Sequence, residues 1–128
     1  MDKWRIEKIA KEVIDCGFTV HKEIGPGLLE SAYQSCLSYE INKRGLTLEI
    51  EKPLPLIYKE INLACGYRID IVVENCVLLE IKSLESFAPV HTAQILTYLK
   101  LSNIQLGFLF NFNVPLFKNG IKRVVNNY

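Results

Sequence analysis

The stretch "VVENCVLLEIKS" (residues 72–83) is typical of two apolar β-strands folded about a short turn. Its second half should be a buried strand, because continuous runs of Val, Leu and Ile belong to sheet interiors. Glu80 and Lys82 nevertheless interrupt that run, and Asp70 lies just before the quoted stretch, on the first of the two strands. Charged groups inside a core hairpin are costly unless they are paired or bind a metal ion. This hairpin is therefore the first place to look for a functional site.

The length of the turn decides whether the two carboxylates meet. Successive side chains of a strand point to opposite faces, so the register of the hairpin fixes which residues share a face. A two-residue turn would send Asp70 away from Glu80, whereas a three-residue turn over 74–76 would set them directly opposite each other. We predict the three-residue turn, which requires a left-handed backbone at Asn75 or Cys76. Asn adopts that conformation more easily.

Opposed in this way, Asp70 and Glu80 would have β-carbons roughly 5 Å apart. Two carboxylates at this distance repel each other, and a divalent cation such as Mg²⁺ removes the repulsion, with the Ile81 carbonyl as a further oxygen donor. Lys82 shares the face of Glu80, where it can orient or deprotonate a water molecule or stabilise charge developing on a phosphate. An ordinary ion pair of Asp70 with Arg68 or Lys82 is the alternative that the hairpin alone leaves open.

The composition restricts the class of protein. The chain has 128 residues, 49% apolar and 23% charged, with a net charge of +1. We expect one domain over residues 1–128, and the charge excludes a histone-like polycation. No apolar run is long enough to span a membrane, and the first residues do not resemble a signal peptide. The four cysteines lack the paired spacing of a zinc site, so we expect a reduced, cytoplasmic protein.

The order of secondary-structure elements predicts an α/β fold. Apolar residues at helical spacing predict helices over 3–22, 28–44 and 88–102, and strand-like runs cover 46–58, 61–73, 77–83, 104–112 and 121–126. This order, ααβββαβ(β), predicts a mixed β-sheet flanked by helices. Pro53 and Pro55 favour an edge position for the first strand, because proline cannot donate to a neighbouring strand.

Two helices carry polar side chains that could supplement the hairpin. His91, Gln94 and Tyr98 form one stripe of the third predicted helix, and Glu30 and Tyr33 are neighbours in the second. On spacing alone, the stripe fits a solvent-facing surface with a half-buried tyrosine better than a phosphate site. A carboxylate in the first turn of a helix is favoured by the helix dipole in any case, so Glu30 has a structural explanation as well.

The segment "GLLESAY" (residues 27–33) resembles the signature of the GxxExxY family. The likeness extends over "VHKEIGPGLLESAY", "GYRIDIVVENCVLLEIKS", "PVHTAQILTYLK" and "NFNVPLFKNGIKRVVN". That family in turn resembles the PD-(D/E)XK nuclease superfamily. The resemblance implies a restriction-endonuclease-like core, in which the hairpin and the following helix form the active site.

The superfamily motif implies roles for the hairpin residues. Asp70 matches its first metal carboxylate, Glu80 its second and Lys82 its lysine, while Ile69 replaces the proline of the superfamily name. The resemblance thus implies that Asp70 and Glu80 hold Mg²⁺ or Mn²⁺ and that Lys82 positions or activates water.

Residues outside the hairpin also have counterparts in the superfamily. Gln94-x-x-x-Tyr98 is similar to the QxxxY motif of its exonuclease-like branches, and Glu30 matches a carboxylate that some members supply from the helix before the sheet. Tyr33 and His91 join these three as candidate residues around the substrate.

The function implied is metal-dependent hydrolysis of phosphodiester bonds in nucleic acid, with DNA expected more than RNA. The alternative is a catalytically silent nuclease-like module that binds nucleic acid or a protein. A nucleotide phosphohydrolase is disfavoured, because no Gly-rich phosphate loop precedes a helix. Lys118, Lys122 and Arg123 could form a modest basic edge. Since no separate DNA-reading element is evident, we also expect a homodimer or a partner protein that gives specificity.

Overall fold

The computed structural model describes residues 2–128. Its helices are α1 (Lys3–Ile24), α2 (Glu30–Lys43) and α3 (Pro89–Ser102). Its strands are β1 (Leu48–Pro53), β2 (Leu56–Tyr58), β3 (Ile61–Leu63), β4 (Arg68–Val73), β5 (Val77–Lys82), β6 (Leu106–Asn111) and β7 (Ile121–Val125), and a short 3₁₀ helix over Phe117–Gly120 leads into β7. None of the helices within 2–128 is long and apolar enough to cross a membrane.

Five strands form a mixed sheet in the order β1-β4-β5-β6-β7. Only β5 and β6 pair in parallel among them, and the other three pairs are antiparallel. A parallel pair needs a crossover connection, and α3 supplies it. The predicted mixed α/β sheet is confirmed, and so is the edge position of the strand that contains Pro53.

Two of the predicted strands, over 46–58 and 61–73, are each broken in the middle. The prolines on either side of Leu54 end β1, and the Leu54 N–H instead donates to the Tyr67 carbonyl at 2.8 Å. The outer halves, β2 and β3, form a separate two-stranded hairpin, with Lys59 left-handed (φ 54°) at its turn. The sequence pattern missed this division because both halves of each run are apolar.

The helices cover both faces of the sheet and fix the direction in which β5 presents its side chains. Leu79 and Ile81 pack in the core beneath α1 and α2, whereas Leu78 packs in the core beneath α3. By alternation, Glu80 and Lys82 point to the α3 side. All six residues of β6 are buried, as expected of a strand covered on both faces.

Candidate active site

The hairpin between β4 and β5 has the predicted three-residue turn. Val73 pairs with Val77, which leaves 74–76 between the strands. Asn75 is left-handed (φ 58°), as expected, but its left-handed neighbour is Glu74 (φ 50°) rather than Cys76. The Cys76 N–H instead donates to the Val73 carbonyl at 3.0 Å and closes the turn.

Contacts outside the hairpin hold Glu74 in this uncommon conformation. Its carboxylate accepts hydrogen bonds from the Thr47 N–H at 2.6 Å and from the Thr47 hydroxyl at 2.5 Å. Arg5 of α1 donates to the same carboxylate at 3.0 Å. The two Thr47 bonds, followed by the charge of Arg5, lower the pKa of Glu74. Two segments far from the turn in sequence therefore hold it in place, and with it the register of β4 against β5.

This register sets Asp70 opposite Glu80, as the sequence predicted. The Asp70 N–H donates to Glu80 Oε2 at 2.9 Å, and the Ile81 N–H donates to Asp70 Oδ2 at 2.8 Å. The backbone pairing of β4 with β5 ends at Ile71 and Leu79, and beyond it these two side-chain contacts join the strands. Within the described chain, Asp70 Oδ1 and Glu80 Oε1 accept no hydrogen bond, so each acid keeps one oxygen for a ligand.

Burial and mutual repulsion make this pair reluctant to ionise. Glu80 is only 4% exposed, and burial together with the Asp70 charge raises the pKa of Glu80 to about 8. Burial also raises the pKa of Asp70, against the opposing effects of the Ile81 N–H and the charge of Lys82. Placing a cation between the free oxygens would remove the cost of ionising both groups.

Lys82 lies half-buried at the end of β5, and its charge lowers the pKa of both carboxyl groups. No carboxylate of residues 2–128 lies within 4.0 Å of its ammonium, and the same holds for the Arg68 guanidinium. The ordinary ion pair considered above as the alternative for Asp70 is therefore not formed. Lys82 remains a cation beside the acids, available to an anionic ligand.

The structure brings Gln94 and Tyr98 of α3 to the same face of the sheet. Gln94 Nε2 donates to the Tyr98 hydroxyl at 3.2 Å. Burial raises the pKa of Tyr98, and the charge of Glu80 adds to the rise, which places the phenol within electrostatic range of the carboxylates. An amide and a phenol therefore lie on the side of the sheet to which Glu80 points.

His91 lies in the first turn of α3, where it contacts residues of its own segment. Its Nδ1 accepts a hydrogen bond from the Ala88 N–H at 2.8 Å, and its ring lies edge-on to Phe87 with 6.3 Å between the ring centroids. The contacts of His91 are those of a residue that caps the helix N-terminus.

Glu30 lies in the first turn of α2, beside the end of β5. Its Oε2 accepts a hydrogen bond from the Ser83 N–H at 3.2 Å, and its charge contributes a small increase to the pKa of Asp70. The structure thus brings Glu30 towards the site, bound to the residue after Lys82, but not into direct contact with Asp70 or Glu80.

Tyr33 is fully buried in the core beneath α1 and α2 and contacts the loop before its own helix. Its hydroxyl donates to the Gly25 carbonyl at 2.6 Å and accepts from the Leu28 N–H at 3.1 Å. Its ring stacks on Phe112, with 4.5 Å between centroids and 6° between planes. The structure therefore places Tyr33 with the loop that leads to Glu30, and not with the acidic pair.

Glu51 of β1 is a neighbour of the site that the sequence did not indicate. The pairing of β1 with β4 skips Glu51 and Asp70, which face each other across the ladder, and Glu51 is left-handed (φ 53°). Gln34 of α2 donates to its carboxylate at 3.0 Å, and its charge raises the pKa of both Asp70 and Glu80. The sequence carried no signal for this position, because a glutamate in an edge strand usually faces solvent.

The donors available suit a hard divalent cation. Over residues 2–128, no three His, Cys, Asp or Glu side chains lie close enough together to hold a metal ion. Two carboxylates without a thiol or imidazole match Mg²⁺ or Mn²⁺, which keep several positions for water and substrate oxygens. The residues present therefore fit such an ion, which Asp70 and Glu80 would hold.

Comparison with known proteins agrees with this geometry. The family model of the PD-(D/E)XK nuclease superfamily matches residues 7–124, a range that contains all the candidate site residues. No curated protein and no solved structure matches the chain. Because the family model covers nearly the whole sequence, the chain belongs to the PD-(D/E)XK nuclease superfamily.

Proposed function

We propose that this superfamily member is a metal-dependent nuclease of the GxxExxY branch, which hydrolyses phosphodiester bonds in nucleic acid, with DNA expected more than RNA. One observation carries the proposal: Asp70 and Glu80 face each other with one oxygen free on each, and the ammonium of Lys82 lies beside them without a carboxylate partner among residues 2–128. A fold shared with nucleases does not by itself make an enzyme, so the argument rests on these three side chains.

Asp70 and Glu80 would hold Mg²⁺ or Mn²⁺ through their free oxygens. The ion would supply the positive charge that polarises a phosphodiester and acidifies water. Lys82, on the same strand face as Glu80, contributes a second positive charge, which stabilises the negative charge that develops on the phosphate or orients the attacking water.

Gln94 and Tyr98 are positioned to orient the substrate. Their side chains are joined by a hydrogen bond, so a phosphate oxygen near the phenol would meet a preorganised donor pair. Glu30 and Glu51 add negative charge around the acids, which favours a cation there and disfavours a bare phosphate. His91 and Tyr33 support the proposed site indirectly, through the N-terminus of α3 and the loop before Glu30.

Cleavage assays test the proposal directly. Linear duplex DNA, plasmid DNA, single-stranded DNA and RNA are incubated with the protein in Mg²⁺, Mn²⁺ or EDTA. We expect cleavage that needs the metal, is lost in Lys82→Ala, and is retained in Lys11→Ala, which removes an exposed lysine of α1. A parallel titration with Mn²⁺ by calorimetry should show binding that disappears when both Asp70→Asn and Glu80→Gln are present.

Absence of cleavage together with absence of Mn²⁺ binding would exclude the metal site. The chain would then be a nuclease-like module that binds nucleic acid or protein without cutting it. Metal binding without cleavage on every substrate would instead point to a missing second copy or a partner protein that supplies specificity. Repeating the assay at several protein concentrations distinguishes a missing second copy from a missing partner protein, because a homodimer becomes active as the protein concentration rises.

A further inference from the structure

A groove of about 370 Å³ adjoins the proposed site on the outer side of α3. Its walls include Leu56, Tyr67, Val90, Gln94, Tyr98 and Leu101, which come from β2, from the segment before β4 and from α3. These walls are mostly apolar or aromatic. The nuclease chemistry proposed above uses Gln94 and Tyr98 but leaves the remainder of the groove unexplained.

The groove lies on the same side of the sheet as the acidic pair. Gln94 and Tyr98 line the groove, and Tyr98 packs in the same core cluster as Leu78, on the face of β5 to which Glu80 points. A nucleotide whose phosphate lies at Asp70 and Glu80 would therefore have its sugar and base close to the mouth of the groove. The groove would therefore be filled by the base of the same nucleic-acid substrate, and not by a separate molecule.

The walls match a nucleobase better than a phosphate or a charged peptide. Tyr67 is 46% exposed, and its ring is tilted by 60° against the Tyr98 ring at a centroid distance of 6.3 Å. Two rings at this angle do not stack on each other, so an aromatic face of Tyr67 remains available to a base. Stacking of bases on tyrosine tolerates any sequence, because every base has a π-face.

The groove offers few groups for reading the edge of a base. The Thr97 hydroxyl, which lies along it, already donates to the Ala93 carbonyl at 3.0 Å. The Gln94 amide is engaged with Tyr98. We expect stacking without sequence readout, and hence little preference among the four bases.

We infer that the groove holds an unpaired base next to the scissile phosphate, so that the substrate is single-stranded or locally unpaired nucleic acid. A base inside a duplex is covered on both faces by its neighbours and cannot reach Tyr67 without leaving the stack. The inference rests on the proposed function, since it needs a phosphate at Asp70 and Glu80 to bring the base to the groove.

Binding measured without cleavage tests this inference. A single-stranded oligonucleotide that contains 2-aminopurine is titrated with protein in Ca²⁺ and in EDTA, and anisotropy and 2-aminopurine emission are recorded. We expect quenching by the native protein and by Tyr67→Phe, which keeps an aromatic face. Tyr67→Ala should bind the strand about tenfold more weakly. Tyr58→Ala, which removes an exposed tyrosine outside the groove, should bind normally.

A single abasic position next to the cleaved bond provides the second measurement. It should weaken binding to the native protein as much as Tyr67→Ala does, with no further loss when the two changes are combined. Equal affinity of Tyr67→Ala and native protein, or tighter binding of the duplex of the same sequence, would overturn the inference. If the protein cuts duplex DNA with metal but shows neither Tyr67 effect, the nuclease proposal survives and the groove proposal fails.

Discussion

The backbone N–H of Asp70 donates to the Glu80 carboxylate, so one acid of the pair holds the strand that carries the other. A second hydrogen bond runs in the opposite direction, from the Ile81 N–H of β5 to the Asp70 carboxylate of β4. Replacing either acid by alanine would remove a candidate metal ligand and also leave a strand N–H without its acceptor. Asn and Gln, which keep an acceptor oxygen and remove the charge, are therefore the informative substitutions.

Glu80→Gln should stabilise the protein in a pH-dependent way. The folded-state pKa of Glu80, about 8, is raised above its ordinary value of 4.5, so folding favours the protonated form. The contribution of this pKa difference to the free energy of unfolding is fully present below pH 4.5 and is lost as the pH rises towards 8. Gln stays neutral throughout. We expect Glu80→Gln to match the native protein at about pH 4 and to exceed it by roughly 2–4 kcal/mol at about pH 9.

Urea unfolding in EDTA at these two pH values measures the difference. The control is Glu23→Gln, which changes an exposed glutamate of α1 and should shift neither curve. If Glu80→Gln differed from the native protein by the same amount at both pH values, Glu80 would not be a carboxyl group that resists ionisation.

Mg²⁺ or Mn²⁺ should raise the melting temperature of the native protein, and more so at about pH 8 than at about pH 6. The reason is that the metal needs ionised carboxylates, whereas Asp70 and Glu80 both have raised pKa values and retain protons at lower pH. A ligand at about 100 times its dissociation constant stabilises the fold by about 2.7 kcal/mol. Thermal melts across a metal titration at both pH values measure the effect. A shift that persists in the Asp70→Asn, Glu80→Gln double variant would place the metal elsewhere.

Glu51→Gly should make the fold more stable, although it removes a hydrogen bond from Gln34. Glu51 holds a left-handed backbone that costs a non-glycine residue about 1–2 kcal/mol, and glycine adopts it freely. After the larger entropy of unfolded glycine is subtracted, we expect a gain of roughly 0.5–1 kcal/mol. The matched control is Glu49→Gly on the same strand. Glu49 is not left-handed and pairs in register with Val72, so this variant should lose stability. Chemical unfolding of both variants gives the comparison, and equal losses would contradict a strained Glu51.

Tyr33→Phe should destabilise the protein and lower cleavage through Glu30. The hydroxyl bridges the Gly25 carbonyl and the Leu28 N–H, and phenylalanine leaves both groups without this partner. The expected cost is about 1–3 kcal/mol. Tyr39→Phe, which changes an exposed tyrosine of the same helix, should cost almost nothing. Denaturant unfolding gives the costs, and cleavage at a temperature where both variants are folded shows whether the loop positions Glu30. Unchanged stability in Tyr33→Phe would mean that the hydroxyl contributes nothing to the loop.

Alternation along β5 was enough to predict that Glu80 and Lys82 share a face, because that rule depends only on local geometry. Local geometry does not fix the turn length in the same way. That length depends on the Glu74 carboxylate, whose partners Thr47 and Arg5 lie 27 and 69 residues away in the sequence. The left-handed backbone expected at Asn75 is confirmed, but no signal in the sequence indicated a second left-handed residue at Glu74, because the contacts that stabilise Glu74 come from distant parts of the chain.

Helical spacing put Gln94 and Tyr98 on one stripe, where the structure joins them by a hydrogen bond, but it could not place Tyr33. Residues three or four apart share a helix face, yet only packing decides which face turns to the sheet. Stacking on Phe112 and the two loop hydrogen bonds draw Tyr33 into the core, while Glu30 remains at the exposed start of α2. Glu51 was missed because its place opposite Asp70 depends on the pairing of β1 with β4, which connects residues far apart in sequence.

The three-residue turn at 74–76 also determines which genetic changes the hairpin can tolerate. Loss of a single codon there would leave nearly every residue in place, yet the register would move by one position. Glu80 would then no longer lie opposite Asp70, or else β5 would turn its charged residues into the core beneath α1 and α2. A substitution at the turn changes the stability of the hairpin gradually. A deletion of one residue shifts the strand register and so separates Asp70 from Glu80 in a single step.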